Sequence, residues 1–292
     1  EWEAKLQDDL AQWQGGKLSP QEKNHITQIL RLFTQSDVAV GTNYLEHYIQ
    51  KFKNNEIRAM LTSFANREFV HQRSYALLND TLGLPEEEYS AFLKYKQMSE
   101  KIDFMSQIDT NSHAGLAKAI ARSVMNEGMS LFSAFAMLLN YQRFGKMKGM
   151  GQIVTYSIRD ESMHVEAMTK LFREFIQENL DIWTDDFKKE LYDICREMVA
   201  LEDKFLDLVF SMGDIQGLTK KDMYAYNRYI ADRRLLQLGL KTNYDQKENP
   251  LGWIDEVMGV EHQNFFEGRA TTYMKAGLRG SQNNITFTNL EE

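Results

Sequence analysis

The apolar positions of this chain recur at intervals of three and four residues. Leu30, Phe33, Val40 and Tyr44 form one such series, and Ile120, Val124, Leu131 and Leu138 form another; each is the pattern of one buried helix face. Prolines occur only at positions 20, 85 and 250, so the 164 residues between the last two hold no obligatory helix breaker. Abundant Ala, Leu, Met, Lys, Glu and Gln, with no strand-rich region, predict an all-α chain. Ser19-Pro20-Gln21-Glu22 reads as a capping box with proline at the first helical position, opening a helix to about Tyr48. The polar stretch Lys51 to Asn55 is the predicted turn. A second helix runs to Gly83, a helix initiated at Pro85 follows, and long helices end near Gly145, Asn179, Gly213 and Gly239. Thr184 with Asp185 and Asp186, and Thr219 with Asp222, mark two helix starts. No low-complexity linker divides the chain, so residues 1–292 are expected to form a single helical domain.

Composition narrows the function classes. At 292 residues the chain can bury a large core without disulfides or structural zinc. Forty-two acidic against 34 basic side chains give a formal charge of −8, which argues against nucleic acid as a partner. The lone Cys195 can form neither an internal disulfide nor a zinc ribbon, which predicts a reducing, cytoplasmic setting. The longest nearly apolar run, Met129 to Leu139, spans 11 residues, against the roughly 20 a membrane span needs. It reads as a core helix segment.

Two Glu-x-x-His pairs, Glu68 with His71 and Glu161 with His164, can each aim a carboxylate and an imidazole at one ion, because residues i and i+3 share a helix face. Chance alone supplies about 0.9 such pairs among six histidines. The third, Glu22 with His25, is explained by capping. Specificity comes from Asp37 and Glu127, each set within one of the two apolar stripes. An unpaired buried carboxylate costs several kcal/mol, so each needs a cation or a proton; the competing explanation is an ordinary buried salt bridge. The spacings favour a metal. Asp37 and Glu68 are symmetric about the predicted turn at Lys51 to Asn55, and Glu127 and Glu161 about the turn near Gly145, so two antiparallel hairpins each bring a carboxylate level with a Glu/His pair. That is the ligand set of a dinuclear carboxylate site in a four-helix bundle. Oxygen-rich ligation with two imidazoles and no thiolate suits iron or manganese.

Tyr75 lies one turn beyond His71 on the same face. It is either a one-electron donor to an oxidised metal pair or a core tyrosine whose hydroxyl a carboxylate satisfies. Asp160 is either an acceptor for a ligand imidazole or a surface charge. His25, His47, His113 and His262 lack a carboxylate at a matching height and are read as structural or surface residues, and Cys195 as packing.

These residues resemble the small, radical-generating subunit of class I ribonucleotide reductase, of the ferritin-like superfamily, over nearly the whole chain. The resemblance extends to Phe33-Thr34-Gln35-Ser36-Asp37, Arg159-Asp160-Glu161-x-x-His164, Ala231-Asp232-Arg233, Glu248-Asn249-Pro250 and Asn264-Phe265-Phe266-Glu267. It implies a ferritin-like bundle with additional C-terminal helices, and metal ligands Asp37, Glu68, His71, Glu127, Glu161 and His164. It also implies a stored oxidant, either a tyrosyl radical with Tyr75 at the radical position or a metal-centred one, and Asp160 in the electron route beside His71. Two metal ions per chain are implied, Fe/Fe first, with Mn/Mn or Mn/Fe as alternatives, activated by dioxygen or an oxidant derived from it. The implied partners are a large catalytic subunit in which ribonucleotide is reduced, a second copy in a homodimer, and an activating flavoprotein if manganese is used; neither nucleic acid nor a membrane is expected. Competing readings on the same fold are a dinuclear oxygenase and a ferritin-type iron store. Three departures stand out. The N-terminal Trp of the family's electron route should fall at or just before position 1, so Trp2 is not its equivalent. The family's docking tail with its Tyr is expected beyond the end of this sequence, since Tyr273 reads as helical body. Ser157, one turn before Glu161, occupies a place usually apolar around the radical tyrosine.

Overall fold

The computed structural model describes residues 4–256 apart from 86, 88, 89, 91 and 92. Nearly all of them fall in one unit, Glu1–Leu251; of the second, Gly252–Glu292, only a short helical stretch at its start is described. The helices are α1 (Gln7–Gln14), α2 (Pro20–Thr42), α3 (Asn55–Leu82), α4 (Lys96–Met105), α5 (His113–Met125), α6 (Leu131–Arg143), α7 (Lys148–Glu178), α8 (Asp185–Val209) and α9 (Lys220–Gln237). Among the described residues there is no strand, only an isolated bridge between Ile215 and Leu218, and no helix long and apolar enough to cross a membrane.

Local chemistry accounts for most boundaries. Ser19 accepts from Glu22 N while the Glu22 carboxylate accepts from Ser19 N, the reciprocal box that starts α2. Asn54, Thr184 and Thr219 cap α3, α8 and α9 through side-chain oxygens. Gly83 ends α3 at φ 70°, a left-handed conformation that costs glycine nothing, and its N–H returns to the last turn. The expected helix at Pro85 falls largely on residues outside the described set, and the next full helix, α4, begins at Lys96.

Two departures from regular helix flank the core acids. The segment expected to be helical to Tyr48 gives way after Thr42 to a π-helical turn, Asn43–Tyr48, and a second π-helical turn, Asn126–Ser130, separates α5 from α6. Such turns insert an extra residue per turn and re-aim the side chains they carry. The start of α7 was hidden from local sequence: Met147 is left-handed at φ 49°, and the free N–H groups of Gly149 and Met150 are met by buried Asp9 of α1, at 3.1 and 2.6 Å.

α2 packs on α3, and α7 packs on α3, α5 and α6. These helices enclose the core into which both stripes point: Leu30, Phe33, Val40 and Tyr44 are buried, as are Ile120, Val124, Leu131 and Leu138. α8 packs on α4, α5 and α9, and α9 also reaches the second π-turn. Asp232, in the Ala231-Asp232-Arg233 motif, is buried and accepts from the backbone N–H groups of Asn243, Tyr244 and Gln246, folding the chain that leaves α9.

Candidate metal centre

The six residues singled out as ligands are all buried. Asp37 comes from α2, Glu68 and His71 from α3, Glu127 from the second π-turn, and Glu161 and His164 from α7. The two hairpins place them as the symmetric spacings predict, with the α2–α3 connection at Phe52–Asn54 and the α6–α7 connection around Gly145. Single ligand atoms of Glu68, Glu127, Glu161 and His164 all lie within 4.8 Å of one another.

The distances divide the cluster into two halves. His71 Nδ1 is 3.6 Å from Glu68 Oε2 and 3.2 Å from Glu161 Oε1. His164 Nδ1 is 3.2 Å from Glu68 Oε1, 3.2 Å from Glu127 Oε2 and 3.3 Å from Glu161 Oε2. Glu68 and Glu161 thus each turn one oxygen toward one imidazole and the other oxygen toward the second. A ring N–H can point at one oxygen, not three, and His164 makes no hydrogen bond through either nitrogen among the described residues. Both oxygens of Glu68, both of Glu161 and Asp37 Oδ2 are likewise buried without hydrogen-bond donors. Orphaned anionic oxygens converging with imidazole nitrogens, far from solvent, fit a pair of cations and are hard to sustain otherwise.

The electrostatics say the same. Burial and the charge of Glu68 push the Asp37 carboxyl well above the usual range, against the pull of His71. Burial likewise raises Glu127, opposed by His164, with the charges of Glu161 and Glu68 adding to the rise. Glu161 is held low despite its burial by His164 and His71. Burial alone would lower both imidazoles, but Glu161, Glu127 and Glu68 hold His164 well above its ordinary value, and Glu68, Asp160 and Glu161 do so for His71. Each of these groups binds a cation in its deprotonated form, so metal binding here would release protons.

Tyr75, on α3, is buried with its ring tilted against Phe33 at 4.7 Å. The structure corrects the carboxylate-bonded alternative: its hydroxyl lies 3.0 Å from Ser157 Oγ of α7. Ser157 is therefore a polar partner inside the tyrosine's pocket. Asp160 is buried, not a surface charge; its Oδ2 lies 3.5 Å from His71 Nε2, and Arg159 donates to its Oδ1 at 3.1 Å. Although burial raises it, His71 and Arg159 bring its carboxyl below the usual range.

Two further residues escaped sequence reasoning. Tyr44, in the first π-turn, donates its hydroxyl to both oxygens of Glu127, at 2.7 and 2.9 Å, and Ser123 donates to Glu127 Oε1. Tyr44 had the burial signal of its stripe but no sign of a polar task; Ser123 at i−4 from Glu127 was the available clue. Phe64 lies against His164, ring centres 4.1 Å apart. Elsewhere His25 is buried against the Tyr141 hydroxyl and Cys195 is buried. Trp2, His262, Tyr273 and the Asn264 to Glu267 motif lie outside the described residues.

Comparison with known proteins agrees with this geometry. The family model for the ribonucleotide reductase small chain matches residues 1–250. The chain is 41% identical to the "Probable ribonucleoside-diphosphate reductase small subunit 048L" of Invertebrate iridescent virus 3, over 95% of this chain and 79% of the viral protein. It is 30% identical to the ribonucleoside-diphosphate reductase subunit beta of Chlamydia pneumoniae, over 94% of this chain and 83% of that protein. The ribonucleotide reductase R2 subunit from Clostridium botulinum shares the fold, with a TM-score of 0.80 at 24% identity over 87% of this chain and 81% of that one. An all-α chain whose Glu68, Glu127, Glu161 and His164 close on one buried cluster, and which the family model matches over residues 1–250, belongs to the ribonucleotide reductase small-subunit family.

Proposed function

We propose that Asp37, Glu68, His71, Glu127, Glu161 and His164 hold two metal ions, and that the chain stores an oxidising equivalent, on Tyr75, for use by a large catalytic subunit that reduces ribonucleotide. The observation that carries this reading is the split allegiance of Glu68 and Glu161, each with one oxygen on the His71 side and one on the His164 side. Glu68 and Glu161 would serve both ions, with Asp37 and His71 as further ligands on one side and Glu127 and His164 on the other. Bound there, iron or manganese supplies one-electron oxidising power after reaction with dioxygen or an oxidant derived from it.

The protein's own groups supply the rest. Tyr75 is one turn from His71, dry, and kept protonated by burial and the charge of Asp37, so it enters the reaction as the neutral phenol. Ser157 Oγ is the hydrogen-bond partner of its hydroxyl and holds the ring's orientation. Asp160, which accepts from Arg159, lies 3.5 Å from the outer nitrogen of His71, where its charge favours that orientation of the imidazole and forms the inner end of a route toward the protein surface. A homodimer, and an activating flavoprotein if manganese is the metal, belong to the same proposal and rest on family membership.

The test is a low-temperature electron paramagnetic resonance spectrum after anaerobic loading with ferrous iron and exposure to air, with metal counted on the same sample. A narrow tyrosyl signal with two irons per chain supports the reading. Two ions without that signal move the stored oxidant to the metals, and oxidation of a small apolar substrate by this chain alone would favour an oxygenase.

A further inference from the structure

Glu127 differs from Glu68 and Glu161 in one respect. All four oxygens of those two are without hydrogen-bond donors among the described residues, whereas both oxygens of Glu127 are bonded by the protein. The two hydroxyls that do this come from separate elements: Tyr44 from the π-turn that follows α2, Ser123 from α5, one turn before the π-turn that carries Glu127 itself. Their effect on the two oxygens is unequal. Oε1 receives Ser123 and one branch of Tyr44, while Oε2 receives only Tyr44 and lies 3.2 Å from His164 Nδ1. The carboxylate is held with one oxygen toward the centre and the other turned to Ser123. Tyr44 is itself immobilised: it is fully buried, with its ring edge-on to His164 at 6.1 Å and to Phe64 at 5.8 Å.

We propose that Tyr44 and Ser123 are positioning residues that fix Glu127 as a one-oxygen ligand and so set the affinity of the His164-side ion separately from that of the His71-side ion. The physical basis is preorganisation. A carboxylate on a flexible stem can bind through one oxygen or two; hydroxyls that occupy its remaining lone pairs remove the second mode, and outer partners of this kind commonly change metal affinity tenfold or more. The inference rests on the two-ion reading of the centre.

The test titrates metal-free, full-length protein anaerobically with Mn²⁺, following free ion by electron paramagnetic resonance, and records infrared difference spectra of the carboxylate stretches on loading. Tyr44→Phe is expected to loosen one of the two binding steps about tenfold or more, leave the other unchanged, and narrow the splitting of the one-oxygen carboxylate bands. Tyr48→Phe is the control, since Tyr48 sits in the same π-turn, is equally buried, and donates to Ala119 O at 3.0 Å rather than to a carboxylate of the centre; it should change neither readout. Should Tyr44→Phe fail to fold, Ser123→Ala carries the test and should shift the same bands. Wild-type isotherm and bands in both Tyr44→Phe and Ser123→Ala overturn the proposal, as does equal loosening of both steps in Tyr44→Phe and Tyr48→Phe. A wild-type protein that takes up fewer than two ions overturns the two-ion reading, and this inference with it.

Discussion

The Tyr75 hydroxyl lies 3.0 Å from Ser157 Oγ, across the contact between α3 and α7. A neutral alcohol, one turn from Glu161, is thus the partner of the residue proposed to hold the radical. Ser157 also donates to the Ile153 carbonyl at 3.2 Å, so its hydroxyl has a second partner besides Tyr75.

Tyr75→Phe separates the radical from the fold. The ring contact with Phe33 survives, and Ser157 keeps its bond to Ile153, so the stability loss should stay near the ~1 kcal/mol of one hydrogen bond. Metal counting should still give two ions, with the tyrosyl signal gone and ribonucleotide reduction with the large subunit lost. Full turnover by this variant would place the stored oxidant on the metals.

Glu127→Ala removes a ligand from the His164 half alone. Elemental analysis should fall from two ions per chain to one, and the melting temperature should lose part of its dependence on metal concentration, since an ion bound at 100 times its Kd stabilises the fold by about 2.7 kcal/mol. Unchanged loading would refute the assignment.

Gly128→Ala tests how the second π-turn is held. A Cβ there would lie 2.8 Å from Arg234 Cδ, and closer still to the Nε that donates to Gly128 O at 2.8 Å, with Val165 Cγ2 3.1 Å away. Overpacking of this kind costs about 1–3 kcal/mol and should also weaken metal binding, because Glu127 is the neighbouring residue. Combining it with Arg234→Ala should cost less than the sum of the two, measured as urea midpoints in a double-mutant cycle.

His25 supplies a pH dependence away from the metals. Complete burial lowers its pKa to about 3, while the unfolded chain titrates near 6.5. Between those values the unfolded state binds the extra proton, so the contribution is full above pH 6.5 and is lost as pH falls toward 3. From pH 6.5 to 5.5 the loss should be about 1 kcal/mol. His25→Gln, which cannot titrate but can still bond the Tyr141 hydroxyl, should remove that increment from urea-denaturation midpoints compared across the two pH values.

Most helix boundaries and the identity of the buried cluster were legible in the sequence, because both rest on short-range rules. Capping oxygens at Ser19, Thr184 and Thr219 and a left-handed Gly83 act within a few residues. The three- and four-residue period decides which side chains face inward, so Asp37 and Glu127 stood out as acids on apolar faces. Equal spacing about two turns then brought them level with Glu68 and Glu161. What the tertiary structure decided is what depends on groups distant along the chain or on an irregular backbone. Asp9 caps a helix 140 residues away. The π-turns at Asn43–Tyr48 and Asn126–Ser130 re-aim Tyr44 and Glu127 toward each other. Tyr75 finds Ser157 rather than a carboxylate only because α3 and α7 pack at that register. Periodicity determines which face of a helix is buried; which partner a buried polar atom meets is determined by the helix opposite.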